Sequence, residues 1–124
     1  MKSMVTPYPS PLKRALIDRF LREADFSVQT GRKSISGLDT SYAAGSCFRA
    51  VSCLNQVLFA FNECHFMNEK GSVFLAASLK SVPAGYRERV DEIFTLISPD
   101  KERLKEAFER LEELFRETED LVSG

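Results

Sequence analysis

The sequence predicts an all-α fold, an antiparallel up-and-down bundle of five or six helices around a long central helix. Three observations carry this. Apolar residues recur at spacings of three and four along the end of the chain, at Leu104, Ala107, Phe108, Leu111, Leu114, Phe115, Thr118 and Leu121. Residues 40–62 contain a single charged side chain, Arg49, and show one broad apolar arc at helical spacing. Nowhere do β-branched residues alternate over more than a few positions, so no strand is predicted.

Taken in order, Ser10-Pro11 is a helix start, because proline at the first helical position forfeits no hydrogen bond. Leu12, Leu16, Phe20 and Ala24 follow at every fourth residue. A second stretch is predicted from about Ala24, with Val28, Gly31 and Ile35 inward, Gly31 as its weak point and Gly37 as a left-handed cap. Asp39 caps the central helix, expected to run to about Phe66 with Ala43, Cys47, Ala50, Val51, Leu54, Val57, Leu58, Phe61 and Cys64 on its apolar arc. Asn68 to Gly71 reads as a turn. Ser72 opens a short helix to about Leu79, and Val82-Pro83-Ala84-Gly85 breaks it. Tyr86, Val90, Ile93, Phe94 and Ile97 mark the next helix, and Ser98-Pro99 repeats the opening start signal before the last. Leu54, Leu58, Phe61, Phe108, Leu111 and Phe115 are the predicted core. The organisation is an N-terminal extension, 1–11, and a single bundle domain, 12–124.

With 124 residues and 44% of them hydrophobic, the chain can bury one core. Its 17 basic and 18 acidic side chains nearly cancel, so no global basic field exists for nucleic acid or an anionic membrane. Thr40, Ser41, Ser46, Ser52, Asn55, Gln56 and Asn62 argue against a membrane span over residues 40–62, since each is costly in hydrocarbon. Three cysteines, Cys47, Cys53 and Cys64, without a C-x-x-C pair and with one histidine, argue against a structural zinc site. They read as reduced, buried thiols of a cytoplasmic protein. His65 lies on the apolar arc and reads as a core or helix-end histidine. The charge is uneven: residues 1–98 carry 12 basic and 9 acidic groups, residues 99–124 carry 5 and 9. The acidic last helix reads as a solvated face, and the mildly basic remainder suits an anionic ligand.

The central helix has a second, polar face. Gly45, Arg49, Ser52, Gln56 and Glu63 fall within about 60° of one another on a helical wheel, with Asn55 and Asn62 beside them. Buried polar groups are hydrogen-bonded or line a cleft. The residues themselves leave two readings open. One is a polar seam, with Arg49 paired to a carboxylate and the amides capping neighbouring helix ends; the other is one wall of a ligand pocket. Lys70 precedes the helix start at Ser72, where free N–H groups and the dipole favour an anion. Such a turn can hold a phosphate, and it is equally ordinary cap chemistry.

The order of these parts, a polar-striped helix with Arg49 and Leu54-Asn55, a turn with Lys70, Ala76-Ala77, then Val82-Pro83-Ala84-Gly85-Tyr86 and a further helix, resembles a known family. It is similar to the carboxy-terminal, HEPN-like helical domain of bacterial nucleotidyltransferases, among them the streptomycin/spectinomycin adenylyltransferases. The resemblance spans roughly residues 12–121. It implies an accessory substrate-binding domain that closes over a catalytic domain, with Lys70 near nucleotide or substrate phosphates and Arg49, Gln56 and Glu63 toward the acceptor. The family's Gly-Ser and Asp-x-Asp magnesium signature is missing: Gly45-Ser46 is followed by no carboxylate until Glu63. Nor does the Arg-x4–6-His motif of HEPN ribonucleases occur, since Arg49 is the nearest arginine before His65. The chain is therefore not expected to be an enzyme by itself. No cofactor is expected in this chain; ATP and magnesium would come only with a nucleotidyltransferase catalytic domain, in cis or trans. The alternative is a HEPN-like interaction module, an antitoxin-type partner or homodimer without a ligand pocket.

Overall fold

The computed structural model describes residues 10–64 and 71–123. Five helices are found among them: α1 (Ser10–Arg32), α2 (Thr40–Phe61), α3 (Ser72–Ala77), α4 (Tyr86–Thr95) and α5 (Lys101–Ser123). α1 runs antiparallel to both α2 and α5, which therefore share a direction. Lys13 at the start of α1 pairs with Glu63 just past α2, while Gly31 near the end of α1 lies against Ser46 of α2. Arg14 likewise donates to the Val122 carbonyl at the end of α5, and Arg103 near its start donates to the Thr95 carbonyl ending α4. The predicted all-α bundle is the observed fold, and α2 is its centre: it packs on each of the other helices.

α1 is one helix, not two. Its inner face is Ile17, Leu21, Ala24, Val28 and Gly31, spaced four and three. A strict spacing of four drifts by about 40° per step. The expected Leu12–Leu16–Phe20 line therefore drifts to the edge of the inner face: Leu16 and Phe20 are half-buried against the Ile17 cluster, and Leu12 is 46% exposed. Gly31 is no weak point. A Cβ there would lie 2.5 Å from Cε1 of Phe108 and 2.7 Å from Cβ of Ser46, so only glycine lets α1, α2 and α5 approach this closely. The helix stops at Arg32, and the left-handed residue before α2 is Leu38 (φ 54°) in place of the expected Gly37.

Asp39 caps α2 as predicted, its Oδ1 accepting from the Tyr42 amide at 3.1 Å. The helix ends at Phe61, short of the expected Phe66, with Asn62 as its C-cap and Glu63 left-handed at φ 58°. At the other start signal, Asp100 caps α5 by accepting from the amides of Glu102 and Arg103 at 3.0 and 3.1 Å. Pro99 thus lies before the cap, outside the helix. The aspartate satisfies free N–H groups and adds favourable charge at that end. α5 buries every predicted position except Leu121, which is half-buried, and adds Val122. Leu54, Leu58, Phe108, Leu111 and Phe115 are core; Phe61 is half-buried, with the Lys13 ammonium 5.3 Å from its ring centroid. Among the described residues no helix is long and apolar enough to cross a membrane.

Candidate functional site

The polar residues of α2 divide into two groups. The inner group is built into the fold. Asn55, 1% exposed, donates from Nδ2 to Ser72 Oγ at 2.9 Å and accepts the Tyr86 hydroxyl at 2.6 Å. One amide thereby joins α2 to the starts of α3 and α4. Asn62 donates to the Leu58 and Ser81 carbonyls, at 2.8 and 2.9 Å, and accepts from the Ser81 amide at 2.9 Å. The break before α4 has a clear purpose: Gly85, left-handed at φ 66°, turns the chain so that Tyr86 enters the core. Burial pushes the Tyr86 phenol far above its ordinary range, so it remains a hydrogen-bond donor.

The outer group is open. Arg49 is exposed and its side chain makes no hydrogen bond or ion pair among the described residues, so the carboxylate partner that the polar-seam reading gives it is not found among them. Ser52 and Gln56 are half-buried, and their side chains likewise make no hydrogen bond among the described residues. A Cβ on Gly45 would meet nothing within 4 Å, which marks the same face as uncovered. Glu63 is separated from this stripe. It lies beyond the end of α2, and its Oε2 pairs with Lys13 Nζ at 3.1 Å. Lys70 and His65 lie outside the described residues. The structure therefore brings together Arg49 and Gln56 of the predicted set and assigns Glu63 to another contact.

Beside Arg49, α1 and α2 form a groove of about 400 Å³, lined also by Arg19, Arg22, Glu23, Phe26 and Cys53. Arg19 Nε donates to Glu23 at 3.1 Å and its guanidinium lies 5.0 Å from the Phe20 ring centroid. Cys53 Sγ approaches the other Glu23 oxygen at 3.9 Å. Burial, then the neighbouring Glu23 charge, pushes the Cys53 thiol up to about 11, and burial pushes Cys47 to about 12. Neither is a thiolate nucleophile at neutral pH. Arg22 and Phe26 were missed in the sequence because they sit on the outer side of an amphipathic helix, where arginines and single aromatics are unremarkable.

A larger depression, about 550 Å³, lies on α5 and is self-neutralised. Glu112 binds both Arg32 and Arg116, while Arg110 binds Glu106 at 2.8 Å and Glu92 at 3.1 Å. The acidic helix is therefore not merely a solvated face, since Arg32 of α1 and Arg89 of α4 both pair with it. These pairs hold the carboxyls of Glu112 and Glu117 below the usual range. Among the described residues no group of three or more histidine, cysteine or acidic side chains is placed to hold a metal ion.

Against known proteins, the chain matches no family model, no curated protein and no solved structure.

Proposed function

We propose that this chain is a helical binding module, not an enzyme by itself, that uses the outer face of α2 against a nucleotidyltransferase catalytic domain. The observation that supports the reading is the division of α2. The side chains of Asn55 and Asn62 are hydrogen-bonded to neighbouring elements, whereas those of Arg49, Ser52 and Gln56 stand together on one face without a hydrogen-bond partner among the described residues. Phe48, 50% exposed, adjoins them, giving a cation, amide and aromatic ring on one stretch of helix. Such composition suits a contact surface, where aromatic and arginine side chains anchor a partner. The resemblance supplies the partner: a domain with the Asp-x-Asp pair that this chain lacks, bringing ATP and magnesium. Lys70 keeps its proposed place near the nucleotide phosphates on the resemblance alone.

The test is reconstitution. A domain carrying Gly-Ser and Asp-x-Asp, encoded in the same reading frame or beside it, is co-expressed with this chain and nucleotide transfer is measured. Arg49→Ala with Gln56→Ala should weaken association, and Lys70→Ala should lower transfer while leaving Tm unchanged. Absence of any such coding sequence, or failure of the two to associate, sinks the reading. A stable homodimer through Phe48 and Arg49 would instead favour the interaction-module alternative.

A further inference from the structure

We infer that the groove between α1 and α2 binds a small organic anion, an oxyanion joined to a flat ring, held by Arg22 and Arg49 and covered by Phe26. The argument begins with how this protein treats its other arginines. Arg14 pairs with Asp18, Arg32 and Arg116 with Glu112, Arg89 with Glu117, and Arg110 with Glu92 and Glu106. Arg103 donates to the Thr95 carbonyl, and Arg87 lies 5.1 Å from the centroid of the Phe74 ring. Arg22 and Arg49 have no such partner among the described residues, and both line the same groove.

The groove's one carboxylate does not supply the missing charge. Glu23 is held by Arg19 at 3.1 Å and touched by the Cys53 thiol at 3.9 Å. Two guanidinium groups are left with ten N–H donors between them, a set that matches oxyanions through paired hydrogen bonds (about five donors per arginine). Phe26 is 70% exposed on a helix whose inner face is already occupied by Ala24 and Val28. Its ring is spare apolar surface at the groove's edge, suited to stacking on another ring. At about 400 Å³ the groove is small for a ligand site, which fits one ring and one oxyanion and excludes an extended chain.

The inference rests on the same α2 face as the docking reading, but its test uses the chain alone, so the two can fail separately. Phenyl phosphate, benzoate, inorganic phosphate and benzyl alcohol are titrated into isotopically labelled protein and followed by NMR. Phenyl phosphate or benzoate should shift the Arg22 and Arg49 side-chain signals and the Phe26 amide saturably, with Kd about 1 mM. The two anions separate phosphate from carboxylate as the preferred group. Benzyl alcohol should produce no saturable shift. Arg22→Gln with Arg49→Gln should weaken binding by about tenfold or more, as expected for charge-assisted contacts. Phe26→Ala should weaken the ring-bearing anions and leave inorganic phosphate unchanged. All three positions are exposed, so circular dichroism should be unaltered. Shifts that map to α5, or that persist undiminished in the double variant, would overturn the inference.

Discussion

Asn55 and Arg49 belong to the same helix and the same polar stretch of sequence, yet their surroundings are opposite. Asn55 is buried, with Ser72 and Tyr86 within hydrogen-bonding distance, and it ties α2 to the α3–α4 unit. Arg49 is exposed and answered by nothing among the described residues. The inner group stabilises the fold because each buried donor has an acceptor, and a network of that kind fixes one packing arrangement. The outer group costs little to leave open, since water satisfies an exposed guanidinium. Polar residues on a central helix therefore do not share one purpose. Burial decides which of them are structure and which are available for a ligand or partner.

The sharpest way to break this comparison is Asn55→Ala. It leaves the Tyr86 hydroxyl and the Ser72 hydroxyl buried without their partner, and each such loss costs about 1–3 kcal/mol. Chemical denaturation should show a total on the order of 2–5 kcal/mol. A loss below about 0.5 kcal/mol would mean that the seam is not structural. Tyr86→Phe removes one donor and keeps the ring, so a smaller loss of about 1–2 kcal/mol is expected in the same measurement.

Acid should separate the neutral seam from the charged periphery. Glu112 and Glu117 have lowered carboxyl pKa values, chiefly through hydrogen bonds from Arg32 and Arg89 respectively. Their stabilisation is complete above the ordinary carboxylate range and is lost as pH falls through the lowered folded values. Thermal unfolding from pH 7 downward should show Tm flat at first, then falling in that acid window. In Glu112→Gln with Glu117→Gln the acid-dependent drop should be smaller; an identical profile would show that these pairs do not set it. The seam carries no group that titrates in this window, so Asn55→Ala should lower the curve without changing its shape.

The smallest effect belongs to the outer face. Arg49→Ala and Gln56→Ala should each change unfolding free energy by less than about 0.5 kcal/mol, because neither side chain has a hydrogen-bond partner to lose among the described residues. A larger loss at Arg49 would place it with the structural group and remove the basis for an open binding face.

Much of the architecture was legible from periodicity and caps. α5 reads directly because its apolar residues keep the three-and-four spacing to the end, and Asp39 marks the start of α2. The errors lie where local signals compete. Ser98-Pro99 looks like a start, but Asp100 takes the cap because its carboxylate reaches two free amides. Gly31 reads as a helix breaker by propensity, whereas its place against Phe108 and Ser46 makes a side chain there impossible without displacement. The candidate site was legible only in part. The wheel placed Arg49 and Gln56 on the one face of α2 they share, and it placed Glu63 with them because nothing in its neighbourhood announces that α2 stops at Phe61.

By itself the sequence determined that this chain is helical and which face of α5 is buried, because helical periodicity is a property of neighbouring residues. It also determined that Asn55 and Arg49 lie on a helix rich in polar groups. Only the tertiary structure decided that Tyr86 and Ser72 reach Asn55, that Glu112 takes Arg32, and that Arg22 and Phe26 meet Arg49 across a groove. Those outcomes depend on which helices lie side by side. Residues far apart in sequence acquire their partners only when the bundle closes, and the same closure leaves Arg22 and Arg49 without any among the described residues.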